Sequence, residues 1–517
     1  MTRWSAICAL LLVPVAVAAA EVRAIRASGE YRMGDNDTRA EGKRLALADA
    51  KRRALEQVGT YVESISEVRD MKLGRDEIRA YTAGIVEVKE AIEHTALDAD
   101  GKSMVISVEV VCDIDPAVLT KQIENLRRNE AAGQQLQQLR AENDALRRRL
   151  AEQSRSVAEA RTPDDAQRLS RQRDTTLTNL EVGDLLARAW VALGSEQGTV
   201  LAGASTPAGR GRARPLVLQA LTLDPDSAPA HQAMGGLLYE EGNWDGALAE
   251  FREALRLQPR SAAAHGGLGN ALQSKGALTD AIREYRRALA LNPDSVLAHN
   301  NLGSALLAKG DAEGAARQMR EVIRRKPNFA PAHVNLGIAL KVKGDLAGAV
   351  SAHRRALALK PDYAEAHYNL GIALEASGAV NEAIGAYREA LRLAPDHADA
   401  HNNLGIALAS TGDWTGAIDE FRRALRLKPD HPNAHYGLGV ALENTKELDA
   451  AAHAYRQALR VRPHFASAHY QLAGVLKANG DVAGAIAEFR AYLRDTADGE
   501  AEKHRVRAIV RELGGTP

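Results

Sequence analysis

The sequence predicts a mainly α chain: an eight-repeat α-solenoid superhelix, preceded by a small α+β domain and a short coiled-coil helix. Three observations carry that prediction. His231, His265, His299, His333, His367, His401, His435 and His469 are each 34 residues apart, and so are Pro225, Pro259, Pro293, Pro327, Pro361, Pro395, Pro429 and Pro463. Alanine and leucine dominate while aromatics make up 4% of 517 residues, which favours helices that meet through small side chains. Near the N-terminus the apolar period switches from helical spacing to strict alternation, the mark of a mixed domain.

The elements follow in order. Residues 1–20 carry Arg3, an apolar stretch over 6–19 and a small-residue site at Ala18-Ala19-Ala20, so a signal peptide cleaved after Ala20 is expected, with delivery to the periplasm. Pro14 and the short apolar length argue against a membrane anchor, and Ile7 before Cys8 argues against a lipoprotein site. After cleavage Cys112 is the only cysteine, so no intramolecular disulfide can form and stability rests on packing. No later segment approaches about 20 uninterrupted apolar residues, so no membrane span is expected.

Residues 21–116 are expected to form the α+β domain. Ala40, Leu47, Ala50, Ala54, Leu55 and Val58 recur at helical spacing over 40–62. Met104, Ile106, Val108, Val110, Cys112 and Ile114 alternate, and IVEVKEAIEH joins them through Asp98-Ala99-Asp100-Gly101, which predicts two antiparallel strands. The alternation places Cys112 on an apolar face, where a thiol is inert. With its helix ALADAKRRALEQVGTYVES, the later DEIRAYTAGIVEV and the closing VEVVCDID, this segment resembles the N-terminal domain of the flagellar assembly protein FlgT and of related envelope lipoproteins. That resemblance implies a cell-envelope location and a binding or assembly role, with no catalytic residues to carry over.

Residues 117–162 are rich in Arg, Glu and Gln. In QLQQLRAENDALRRRL, Leu136, Asn143, Leu150 and Val157 take a positions and Leu139 and Leu146 take d, which predicts a coiled-coil helix and a homo-oligomer whose register Asn143 sets. Residues 163–227 are expected to be a linker with a degenerate helical pair, the first helix over 177–193 and the second over 215–223. Between them SEQGTVLAGASTPAGRGRARP reads as an exposed loop; its GRGRAR has no aromatic neighbour and does not read as nucleic-acid binding.

Residues 228–499 hold the repeats. Counted from Ala228, seven copies have Leu-Gly or Met-Gly at positions seven and eight, and all eight have alanine at position twenty. A 34-residue unit of two helices with these residues resembles the tetratricopeptide repeat, in which glycine and alanine permit close helix approach and stacking buries an apolar face no single unit can bury. The last copy departs with Ala473, Tyr492 and Ala497, and residues 500–517 read as a capping helix and tail with Val506, Ile509, Val510 and Leu513 on one side.

The functional candidates lie one residue before the repeated leucine: Asn301, Asn335, Asn369 and Asn403, in register in the four central copies. The repeats are most similar to those of O-linked N-acetylglucosamine transferases. That resemblance implies that these asparagines form a ladder on the concave groove and hold a peptide backbone, since an amide supplies both donor and acceptor. The eight histidines, in contrast, read as packing residues: neighbouring first helices are about 10 Å apart, too far for one metal ion. Trp244 and Trp414 read as structural caps beside interhelical turns. Basic and acidic residues balance at 67 each, so no overall field draws the chain to nucleic acid. The expected function is that of an exported scaffold binding an extended protein segment, with no catalytic residues, cofactor or metal. The chain stops soon after the cap and no nucleophile-base set appears in the N-terminal domain, so no enzyme is expected. The alternative is a non-catalytic subunit of an envelope glycosyltransferase or other enzyme complex.

Overall fold

The computed structural model describes residues 23–35, 37–64, 78, 82, 88–99, 101–128, 130–194 and 206–516. The expected signal peptide, residues 1–20, lies outside them, as do most of DEIRAYTAGIVEV and residues 195–205 of the expected loop. Two compact units divide between Lys275 and Gly276, in the turn between the two helices of the second repeat.

In the first unit a three-stranded antiparallel sheet has the order β1 (Arg23–Arg32), β3 (Met104–Ile114), β2 (Glu90–Leu97). The expected β2–β3 hairpin forms, and Cys112 is fully buried with Ile106, Val108 and Val110. The strand β1 is one that alternation alone does not announce: beyond Ile25 and Ala27, its inward positions are Gly29 and the half-buried Tyr31. Its pairing with β3 makes it a strand. Helix α1 (Arg39–Ser64) crosses the sheet on Ala46, Ala50, Ala54, Val58 and Val62, every fourth residue. Ala40 is exposed and Leu47 and Leu55 are half-buried, so the buried stripe lies to one side of the expected one. The reason is close approach. A Cβ on Gly29 would lie 2.2 Å from both the Ala46 oxygen and the Ala50 nitrogen, so the helix must present alanines there.

The segment expected as a coiled-coil helix is helical, as α2 (Pro116–Arg128) and α3 (Glu130–Ala158), but its seam faces the same chain. Helix α3 pairs with the long α4 (Pro163–Gly194), which starts well before the expected residue 177. Leu136 packs with Ile123 and Val191, Leu139 with Val182 and Leu186, and Leu150 with Leu177 and Leu180. Asn143 is buried, and its Nδ2 donates to Asp184 Oδ1 at 3.1 Å. Gly183 makes room for it: a Cβ there would lie 2.0 Å from the Asn143 oxygen. The seam predicted to join two copies is thus occupied within the chain. A partner tethered through a few residues has an effective concentration near millimolar, which a second copy does not match at micromolar concentration.

A buried polar cluster ties this hairpin to the sheet domain. Arg173 of α4 pairs with Asp37 at 2.8 Å, their side chains 1% and 2% exposed, and donates to the Tyr31 hydroxyl at 2.7 Å. The Tyr31 hydroxyl donates to Asp37 at 2.8 Å; burial raises the phenol above its ordinary range despite the neighbouring guanidinium.

Helix α5 (Pro207–Leu223) corrects the loop expectation. Gly209 to Arg214 are helical, because Thr206 accepts the Gly209 N–H at 3.0 Å and Pro207 stands in the first turn. Gly209 rests on α4, where a Cβ would meet the Ala192 carbonyl at 2.6 Å.

The repeats begin at Ala228. First helices have 13 residues, from Ala228–Glu240 to Ala466–Ala478, and second helices 14, from Trp244–Leu257 to Val482–Asp495. The alanine at position twenty is fully buried in every copy, from Ala247 to Ala485. In four of the repeats the glycine at position eight receives the aromatic residue sixteen positions on: Gly235 with Phe251, Gly371 with Tyr387, Gly405 with Phe421 and Gly439 with Tyr455. A Cβ would come within 2.5 to 3.0 Å of those rings, so these four pairs close on glycine, while the eighth repeat buries Ala473 and Phe489 at the same positions. The interhelical turn places its glycine in the left-handed region in seven copies, while the seventh repeat puts Lys446 there at φ 67°. The following Asp311, Asp345, Asp413 or Asp481 caps the second helix by accepting an N–H three residues on. Helix Glu500–Glu512 ends the stack, with Val506 and Val510 fully buried against it and Ile509 and Leu513 partly so.

Candidate functional site

The second unit carries all four asparagines of the predicted ladder, on first helices Val296–Ala308, Ala330–Val342, Ala364–Ala376 and Ala398–Ser410. Each is half-buried, so none belongs to the core. Position six lies about 100° from position seven, whose leucine is buried as Leu302, Leu370 and Leu404 and partly buried as Leu336, and shares a face with positions two, nine and thirteen. On that shared face Leu297 is 49% exposed, Val342 59% and Ile406 40%. That face therefore combines amides with exposed aliphatic side chains.

The ladder is not a row of equal, unengaged amides. Asn300 Nδ2 donates to Asn301 Oδ1 at 3.3 Å, and Asn335 Nδ2 donates to Asn300 Oδ1 at 3.4 Å, which couples two repeats. In the same way Asn402 Nδ2 donates to Asn403 Oδ1 at 3.1 Å, and Asn403 Nδ2 donates to the Tyr368 hydroxyl at 3.3 Å. Asn369 instead donates to the carbonyl of Glu365 on its own helix at 2.9 Å. Position five, through Asn300, Tyr368 and Asn402, is thus part of the site. Its sequence signal was only two adjacent asparagines in the third and sixth copies. Burial, Asp399 and other neighbours raise the Tyr368 phenol above its ordinary range although Asn403 opposes this, so it stays a neutral donor and acceptor. Asn402 is 4% exposed and its Oδ1 has no partner among the described residues.

The repeated histidines serve a different purpose. In all eight copies the imidazole Nε2 lies 2.8 to 3.2 Å from the carbonyl of the proline six residues earlier, from His231 with Pro225 to His469 with Pro463. A carbonyl can only accept, so Nε2 carries the proton, and each histidine ties a first helix to the turn before it. In four copies Nδ1 meets a side chain nineteen residues on: Glu250, Gln318, Glu420 or Glu488. Burial acts against the charged form of His231 and His469, but their glutamate and prolyl partners outweigh it and raise both. His353, in the place of the usual aromatic, is buried; desolvation, then Lys341, lowers it to about 4, so it is neutral at pH 7. Among the described residues no group of three or more His, Cys, Asp or Glu could hold a metal ion, and no helix is long and apolar enough to cross a membrane. Trp244 and Trp414 each open a second helix; Trp414 packs against the core, while Trp244 is 41% exposed.

Residues 334–398, 380–432, 402–455 and 436–500 match one tetratricopeptide repeat model, and residues 235–276 and 269–310 match a second TPR repeat model. No curated protein matches the chain. Among solved structures it is similar to MamA, at 24% identity over 33% of this chain and 92% of that one with a TM-score of 0.30. It is similar also to a thermophilic TPR protein of Thermus thermophilus, TTC0263, at 26% identity over 35% and 100% with a TM-score of 0.31. A third is YrrB, described as a TPR protein with an unusual peptide-binding site, at 24% identity over 36% and 95% with a TM-score of 0.30. Residues 235–310 and 334–500 are tetratricopeptide repeats, stacked as an α-solenoid behind a small N-terminal sheet domain.

Proposed function

We propose that this protein is an exported scaffold that holds an extended protein segment in the groove of its second unit, in the assembly or organisation of a cell-envelope complex. The observation that carries the reading is the shared face of Asn301, Asn335, Asn369 and Asn403 with the exposed Leu297, Val342 and Ile406. Amides of this kind hydrogen-bond a main chain regardless of its sequence, while the aliphatic groups take alternate side chains of a strand-like segment. Spanning four first helices about 10 Å apart takes roughly nine extended residues at about 3.3 Å each. The FlgT-like resemblance of the N-terminal segment and the Ala18-Ala19-Ala20 site support an envelope location for this role.

Two experiments test it. N-terminal sequencing of the mature protein is expected to begin at Glu21, and a product that keeps Met1 contradicts export. Replacing the four asparagines together with alanine removes hydrogen bonds of about 0.5–1.5 kcal/mol each, so affinity for a partner captured from envelope extract is expected to fall at least about thirtyfold. Circular dichroism is expected to be unchanged. Undiminished capture means that the amides serve only to couple the repeats.

A further inference from the structure

The repeats are copies of one design, so a group present in several copies and missing from one shows what the incomplete copy lacks. In the first, third, sixth and eighth repeats the histidine Nδ1 is met by Glu250, Gln318, Glu420 and Glu488 at 2.5 to 2.7 Å. In the fourth repeat that position is Ala352. His333 keeps its Nε2 bond to the Pro327 carbonyl at 3.1 Å and is 8% exposed, but among the described residues nothing meets its Nδ1. Beside Ala352 lies a cleft of about 500 Å³, bordered by second helices Ala312–Arg325 and Leu346–Leu359 and floored by His333 and Leu336.

The cleft is ringed by Arg320, Arg324 and Arg355. Arg324 pairs with Glu321 at 3.0 Å, whereas Arg320 and Arg355 have no hydrogen bond or salt bridge among the described residues. The fifth and seventh repeats also have alanine here, at Ala386 and Ala454, yet they do not repeat the ring. In the fifth, Arg354 is engaged by Glu382 at 2.7 Å, Ala358 stands for Arg324 and Glu389 for Arg355. In the seventh, Gln457 stands for Arg355. Loss of the internal carboxylate and gathering of cations coincide in the fourth repeat.

We propose that this cleft is a second binding site, for an acidic protein segment, in which an external Asp or Glu carboxylate takes the place held by Glu250, Glu420 and Glu488 in their repeats. With its Nε2 committed to a carbonyl, His333 floors the cleft, and Arg320 and Arg355 supply the forked donors that match a carboxylate. The volume exceeds what one carboxylate fills, and Ile323, Leu336 and Leu340 line it, so the segment carries apolar residues beside the acid. Position four is about 200° around the helix from the ladder at position six, so the site faces away from the groove. A segment held along the ladder and an acidic segment held here can be bound together.

The test uses the full chain and an N-acetylated, C-amidated peptide alternating leucine and glutamate, with its leucine–glutamine counterpart and decanoate as further probes. Ala352→Glu restores the internal carboxylate and is expected to weaken the glutamate peptide at least about tenfold, the loss of one charge-assisted contact. Arg320→Gln with Arg355→Gln is expected to weaken it as well, and Ala352→Gln, which copies Gln318, is the second blocking variant should the glutamate perturb the fold. Because the ladder would hold an extended segment of any sequence, all affinities are compared in the quadruple asparagine variant, in which the preference for the glutamate over the glutamine peptide is expected to persist. Equal affinity for the glutamine peptide, unchanged affinity in both Ala352 variants, or loss of binding in the asparagine variant overturns the proposal. Decanoate binding tighter than the peptide overturns the assignment to a protein segment.

Discussion

Replacing Arg173 with alanine is expected to cost the first unit about 3–5 kcal/mol, the penalty for leaving a buried charge without its partner. The guanidinium and the Asp37 carboxylate are 1% and 2% exposed, and the Tyr31 hydroxyl bonds both. Removing Arg173 leaves Asp37 in the interior with, among the described residues, only Tyr31 and the Gly34 N–H as hydrogen-bond partners, neither of which carries a charge. Hydrogen exchange is expected to quicken across β1, α1 and α4, which the cluster joins. The double variant Arg173→Leu with Asp37→Leu recovers much of the loss, because two buried charges are then replaced by apolar groups. Full stability in the single variant, or a double variant worse than the sum of the singles, contradicts this account.

The second large effect is expected from Phe421→Ala, at about 3–5 kcal/mol for a buried phenylalanine. Phe421 is 1% exposed, and its ring is wedged between Gly405 of its own repeat and Gly437 of the next: Cβ atoms there would lie 2.9 and 2.5 Å from it. Two glycines leave a slot with no side chain able to refill it, so the cavity persists. A repeat stack responds locally, since each repeat contacts only its neighbours. Amide exchange is therefore expected to rise most in residues 398–461 and least in α1. A uniform rise across the chain would mean that the stack unfolds as one cooperative body.

The repeats were legible because their signal is redundant. The Leu-Gly pair, the position-twenty alanine, the turn glycine and the closing proline each recur at 34 residues, and each has a role in the observed packing. The β2–β3 hairpin was legible for a related reason, its alternation being local. By contrast β1 could not be read, because Ile25 and Ala27 alone among its inward positions are aliphatic, too few to announce a strand. The α1 stripe was displaced by contact with Gly29, a residue of β1 ten positions before the helix begins. At the candidate site the sequence placed the asparagines on one face. It did not show that Asn300, Tyr368 and Asn402 bond to them, since the contacts of Asn300 with Asn335 and of Tyr368 with Asn403 cross from one repeat to the next, 35 residues away.

The sequence by itself determined the helical pairs, their order and the residues that let them close, because those depend on local propensity and on a period repeated eight times. Tertiary structure decided which partner each exposed face found. The heptad through Leu136, Asn143 and Leu150 is satisfied by α4, and a heptad specifies what its partner must look like without saying whether that partner is another copy or the same chain. The histidine at 34-residue spacing is likewise one symbol in the sequence. Only the packed structure separates His401, met by Glu420, from His333, which lines the cleft beside Ala352, because the difference lies in the residue that reaches it from a second helix.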